Sequence, residues 1–152
     1  MKQEDKTTII SYRIEQAQIA LDDAIYLNAG GRSPQGIVNR CYYAMFYATL
    51  ALLQDIGKAP TKHSGIISLF DTEYVMKGIF PRELSKNLHK AFELRQSSDY
   101  KVRPTMPEEL VKKEIDKASN FVEAVILRTG IICAFHKLPL PAGEGWGGGS
   151  KT

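Results

Sequence analysis

The sequence predicts an all-α fold, an up-and-down bundle of about five helices, and three observations carry that reading. Apolar residues recur at three- and four-residue steps through most of the chain. Glycine and proline interrupt the pattern at intervals that suit helices joined by short links. No run alternates polar and apolar residues for long enough to make a convincing strand.

The first helix is predicted over 8–29, where Ile14, Ala17, Leu21, Ala24 and Ile25 share a face, and Gly30-Gly31 stops it. Ser33 and Pro34 then read as N-cap and first helical position. The second helix, over 35–55, is apolar nearly all round, as its Ile37, Val38, Cys41, Ala44, Met45, Ala48, Leu52 and Leu53 attest. Such a helix is either central or buried at a subunit interface. A third helix is predicted over 62–76 with Ile66, Ile67, Leu69, Phe70 and Tyr74, broken by Gly78. A fourth covers 82–97 after Pro81. A fifth covers 107–127, capped by Thr105, with Leu110, Ile115, Ala118, Val122 and Val125 on its apolar face.

These helices define a domain over 1–127. Residues 128–152 form an irregular tail, expected to be mobile, that from Leu138 reads LPLPAGEGWGGGSKT and cannot continue a helix. The stretch PLPAGEGWG also resembles the translation of an interspersed bacterial DNA repeat.

At 152 residues the chain is long enough for one core without staples. No segment approaches the roughly 18 consecutive apolar residues of a membrane span, and the charged first residues run into no signal-peptide core. Cys41 and Cys133 form no CxxC, and Cys41 lies in an apolar helix, so a reducing cytoplasm is the expected setting. His89 and His136 have no metal-ligand spacing, and neither metal nor cofactor is expected. Of the net charge of +3, +2 lies in 128–152, which excludes a general basic coat for nucleic acid. Residues 82–103 are a local exception, with Arg82, Lys86, Lys90, Arg95, Lys101 and Arg103 against three acids. Such a cluster serves either phosphates or a solvated helix face.

Arg95 is the most informative residue. At about 100° per residue, with Leu84 at zero, Arg95 falls at about 20°, inside the apolar arc of Leu88, Ala91 and Phe92. An arginine is seldom fully buried without a partner. Three fates are open to it: a structural ion pair, snorkelling off the helix end, or a cleft where its planar fork holds phosphate or carboxylate. On the second helix Asn39, Arg40, Tyr43 and Tyr47 form a polar and aromatic stripe, suited either to amphipathic packing or to base stacking and hydrogen bonding. Lys62 and His63 open the third helix, where free N–H groups suit anions and a histidine titrates near neutrality; a plain surface cap is the alternative.

Taken together, NRCYYAMFYATLALL at 39–53, KHSGIISLF at 62–70 and LRQSSDY at 94–100 resemble the HEPN domain family of bacteria and archaea, in the expected order and across most of 8–127. The resemblance implies a helical bundle that forms a homodimer and often stands beside a small nucleotidyltransferase (MNT) in a toxin–antitoxin pair. Many such toxins are metal-independent ribonucleases whose signature is Arg, four to six residues, then His. Arg95 matches the arginine, but positions 100, 101 and 102 are Tyr, Lys and Val, and the sequence reads R-x3-D-Y instead.

The catalytic candidates are therefore Arg95, Asp99 and Tyr100. Cleavage without metal needs an acid or base poised near neutrality and a cation for the phosphate. Unperturbed pKa values of about 3.9 for Asp and about 10 for Tyr leave neither poised. An Asp99–Arg95 ion pair, with Tyr100 positioning RNA or nucleotide, is the simpler arrangement. The expected function is binding of RNA or nucleotide in a toxin–antitoxin or defence setting, with ribonuclease activity as an open addition. The alternative is a non-catalytic helical partner, or substrate-binding module, for a nucleotidyltransferase.

Overall fold

A computed structural model describes residues 2–98 and 106–131. Within them the protein is a helical bundle of five α-helices: α1 (Gln3–Ala29), α2 (Pro34–Asp55), α3 (His63–Phe70), α4 (Arg82–Ser98) and α5 (Glu108–Thr129). No strand occurs among the described residues.

α1 begins five residues before its predicted start. Its first turn is exposed and so carries no apolar signal; Glu4 and Asp5 instead favour the positive end of the helix dipole. Ser33 caps α2 as expected, its side chain accepting from the Gly36 N–H at 3.4 Å, with Pro34 following. The predicted third helix changes character partway. α3 ends at Phe70, and a π-helical turn over Asp71–Val75 follows, closed by Met76 N–H donating to the Asp71 carbonyl at 2.8 Å. Contacts on both sides hold this wider turn. Asp71 accepts from Ser85 Oγ at 2.6 Å and pairs with His89 Nε2 at 2.7 Å, both on α4. Tyr74 donates its hydroxyl to the Leu52 carbonyl of α2 at 2.7 Å. The apolar pattern does not reveal this π turn, because Ile66, Phe70 and Tyr74 recur at four-residue steps that an α-helix would also show. α5 starts after Pro107 with no side-chain cap and ends where Gly130, at φ +68°, takes the left-handed position and donates to the Ile126 carbonyl. The predicted cap Thr105 and the tail from 132 onward lie outside the described residues.

α2 occupies the centre and packs against α1, α3, α4 and α5. Its buried residues, from Ile37 and Val38 to Leu52 and Leu53, cover most of its circumference and leave one half-buried row at Asn39, Arg40, Tyr43, Tyr47 and Leu50. Internal packing therefore accounts for its apolar character, and that character no longer argues for a second subunit. Cys41 is fully buried there, and burial, then the nearby Glu114 charge, pushes its thiol up to about 12. The thiol stays protonated and behaves as a small hydrophobe.

One acidic side chain is buried against this packing. Glu114 of α5 is 0 % exposed; its Oε2 accepts from Lys117 Nζ at 3.2 Å, while Oε1 meets no hydrogen-bond donor. A buried carboxylate satisfied on one side only is a net cost to folding. Glu114→Met is accordingly expected to keep or raise the urea midpoint. Lys117→Met, which leaves the carboxylate behind, is expected to lower it; the reverse order in equilibrium denaturation would show that the pair stabilises the fold.

Candidate functional site

The site grows from the middle of α2, the start of α3 and the last turns of α4. α2 contributes consecutive tyrosines, and because neighbours on a helix lie about 100° apart, the two divide the work. Tyr42 turns inward and is 0 % exposed, whereas Tyr43 stays half-buried at the surface. α3 contributes its first residue, His63. α4 contributes Phe92 and Arg95, the latter continuing the buried row of Leu84, Leu88 and Ala91 to the last turn of the helix.

These side chains form one cluster. The His63 imidazole stacks on Phe46, with ring centroids 4.2 Å apart and planes at 18°, and Tyr43 meets it edge-on at 6.2 Å. His63 Nδ1 lies 2.8 Å from the Tyr42 hydroxyl. The Arg95 guanidinium lies over both tyrosines, 5.6 Å from the Tyr42 ring centre and 5.4 Å from that of Tyr43. Arg40 approaches Tyr43 as well, at 5.3 Å, while its Nε and Nη2 donate to Asn39 Oδ1 at 3.4 and 3.3 Å. Two guanidinium groups thus gather on one half-buried tyrosine. Each is attracted by the ring's quadrupole, and together they concentrate positive charge at this tyrosine.

The electrostatics of the pair Tyr42–His63 follow from burial. Desolvation holds the Tyr42 phenol well above its ordinary value, partly offset by the Arg95 charge. Desolvation also lowers the His63 pKa below 6.5, and the Arg95 charge lowers it further. Both residues are therefore neutral at pH 7. An unfolded chain binds the His63 proton more readily than the native one, so stability rises with pH across this window. The contribution is fully present above about 6.5 and is lost as the pH falls through the depressed native value. We expect the urea midpoint to fall more on acidification in the wild type than in His63→Gln; equal slopes would show that His63 is as easily protonated in the fold as outside it.

Most of the residues singled out from sequence come together. Asn39, Arg40, Tyr43, His63 and Arg95 share the cluster, and Lys62 precedes His63 as the exposed N-cap position of α3, without a capping side-chain bond. Tyr47 continues the stripe, its ring 5.7 Å from Tyr43. Asp99 and Tyr100 lie outside the described residues. The sequence reading missed Tyr42, Phe46 and Phe92, which wall the site from inside. For Tyr42 a signal existed: a tyrosine on the inner face of an apolar helix must find a partner for its hydroxyl. Among the described residues no group of metal-ligating side chains gathers, and no helix is long and apolar enough to cross a membrane.

Comparison with known proteins agrees with this architecture. The model of the HEPN domain matches residues 10–129. A UPF0332 protein of Thermotoga maritima is 40 % identical over 121 residues, covering 80 % of this chain and 91 % of the relative. A UPF0332 protein of Archaeoglobus fulgidus is 31 % identical over 118 residues, covering 75 % and 90 %. A protein of Methanocaldococcus jannaschii named "Putative toxin MJ0605" is 30 % identical over 118 residues, covering 77 % and 81 %. With its family match spanning α1 to α5, the chain belongs to the HEPN domain family.

Proposed function

We propose that this chain is a toxin-type HEPN protein that binds single-stranded RNA, gripping one phosphodiester at Arg95. The observation that carries the reading is the gathering of Arg95 and Arg40 on Tyr43, beside an imidazole stacked on Phe46. Guanidinium forks suit phosphate geometry, and half-buried tyrosines offer stacking faces that any base can use. The names of two relatives from Methanocaldococcus jannaschii carry the word toxin, which supports the toxin–antitoxin setting and an antitoxin as the natural partner. A homodimer would place two such clusters in one assembly; light scattering at micromolar concentration tests it, and a monomer removes it.

Metal-independent cleavage is the stronger form of this reading. Purified protein and Arg95→Ala are incubated with RNA in EDTA. Cleavage by the wild type alone supports a ribonuclease centred on Arg95, whereas equal cleavage by both, or by neither, reduces the function to binding.

A second reading draws on α1, which packs against α2 and α5 but not against α3 or α4. Tyr12, Ile19 and Tyr26 of α1 recur at seven-residue intervals and are 56 %, 42 % and 62 % exposed. That apolar stripe suits docking of a partner such as a nucleotidyltransferase. Co-purification with the partner, lost in Tyr12→Glu/Tyr26→Glu but retained in Arg95→Ala, would favour it.

A further inference from the structure

The R-x3-D-Y sequence after Arg95 lacks the histidine of the family's nuclease signature, yet a histidine from a different helix stands in the same cluster. The role open to His63 is narrowed by three observations. First, Tyr42 is fully buried, and its hydroxyl has His63 Nδ1 at 2.8 Å as its hydrogen-bond partner. A buried phenol that keeps its proton must place it on an acceptor. Tyr42 therefore donates, and Nδ1 accepts. A neutral imidazole carries one N–H, which must then sit on Nε2, across the ring from Tyr42. Second, the ring is held in a slot. Phe46 stacks on it at 4.2 Å and 18°, Tyr42 lies nearly parallel at 5.9 Å and 20°, and Tyr43 meets it at 87°. Third, Arg95 lies over the same two tyrosine rings that touch the imidazole.

Resting on the RNA-binding reading above, we propose that His63 is a substrate-binding residue that presents Nε2–H to the phosphodiester beside Arg95, with Tyr42 as the positioning residue that sets its tautomer. In this arrangement His63 is a hydrogen-bond donor and not a general base, because its only lone pair is already occupied by Tyr42. Burial and the Arg95 charge keep the ring neutral, which preserves that division of roles. Arg95 supplies charge and a planar fork; His63 supplies a second donor whose direction is fixed before the ligand arrives, so little freedom is lost on binding.

Two measurements test the proposal. The first is long-range nitrogen–proton correlation NMR on 15N-histidine-labelled wild-type protein, with the His63 signals identified by their loss in His63→Gln. At neutral pH, Nε2 is expected to have the shift of a protonated, pyrrole-type nitrogen and Nδ1 that of a pyridine-type one. Tyr42→Phe should move the signals toward a tautomer mixture. A proton on Nδ1, or an imidazolium, overturns the proposal.

The second is the affinity for a labelled short single-stranded RNA in EDTA. A glutamine amide reaches roughly where Nε2 lies, and an asparagine amide roughly where Nδ1 lies. His63→Gln is therefore expected to stay close to wild type and His63→Asn to bind about tenfold more weakly, the worth of a hydrogen bond to a charged group. Equal losses in both variants, or none, overturn the donor role. The two ideas also fail separately. Binding that depends on Arg95 together with an Nδ1-protonated His63 leaves the RNA reading standing and removes this inference. A wild-type protein that binds no RNA removes both the RNA reading and the ligand proposed for this pair.

Discussion

Arg95→Ala is expected to weaken RNA binding by about one to two orders of magnitude, the worth of one or two charge-assisted hydrogen bonds. The slope of affinity against salt is expected to become shallower by about 0.7, the share of one phosphate contact on a single strand. Arg95→Lys separates charge from shape. It should restore the slope and only part of the affinity, because an ammonium cannot fork around a phosphate. Lys86→Ala and Lys90→Ala remove exposed charges from the same helix. Each should lower affinity slightly, since outlying charges contribute mainly a screened field. If these lysines matter as much as Arg95, the positive cluster binds as a diffuse patch and the tyrosine-walled site is not the point of contact.

Phe121→Ala is expected to cost about 3–5 kcal/mol of folding stability. Phe121 is 0 % exposed on α5, and its ring packs 5.2 Å from Phe70 at the end of α3. Phe70 continues to Phe80 at 5.9 Å, and Phe80 to Tyr74 at 5.7 Å. Truncating Phe121 thus opens a cavity at one end of a chain of aromatic contacts linking α5 to the π turn. Against a typical total of about 5–15 kcal/mol for a domain, such a loss is large. Phe121→Leu keeps much of the volume and should cost less than half as much. Urea denaturation followed by circular dichroism measures both. A midpoint that barely moves in Phe121→Ala would mean that the neighbouring helices collapse into the space.

The helices were legible in the sequence because their buried faces repeat every three to four residues. α4 shows this best, with Leu84, Leu88 and Ala91 in one row and Arg95 visible as the charge that interrupts it. Features that do not depend on this repeat were not legible. The first turn of α1 carries no buried residue before Ile10, and the π turn at Asp71–Val75 depends on partners in α2 and α4. The candidate site divides along the same line. Arg95, Tyr43 and Arg40 could be found because they break an apolar pattern. Phe46 could not, because it obeys it, and Tyr42 offered only the indirect signal of a hydroxyl in need of a partner: both lie on the buried side of α2, and their relation to His63 exists only once α3 has folded against them.

The central position of α2 makes one helix answer to two kinds of selection. Along its inner rows, at Cys41, Ala44, Met45, Ala48 and Leu52, a substitution changes how much folded protein there is. Along its outer row, at Arg40, Tyr43 and Tyr47, which are only half-buried, a substitution is expected, on the RNA-binding reading, to change what the folded protein can do. A saturation library scored for cellular abundance and, separately, for growth inhibition would therefore trace two interleaved helical waves through the same 22 residues, displaced around the axis from each other. Tyr42 belongs to both: it is packed into the core and hydrogen-bonded to the site, so few of its substitutions would lower inhibition while leaving abundance intact.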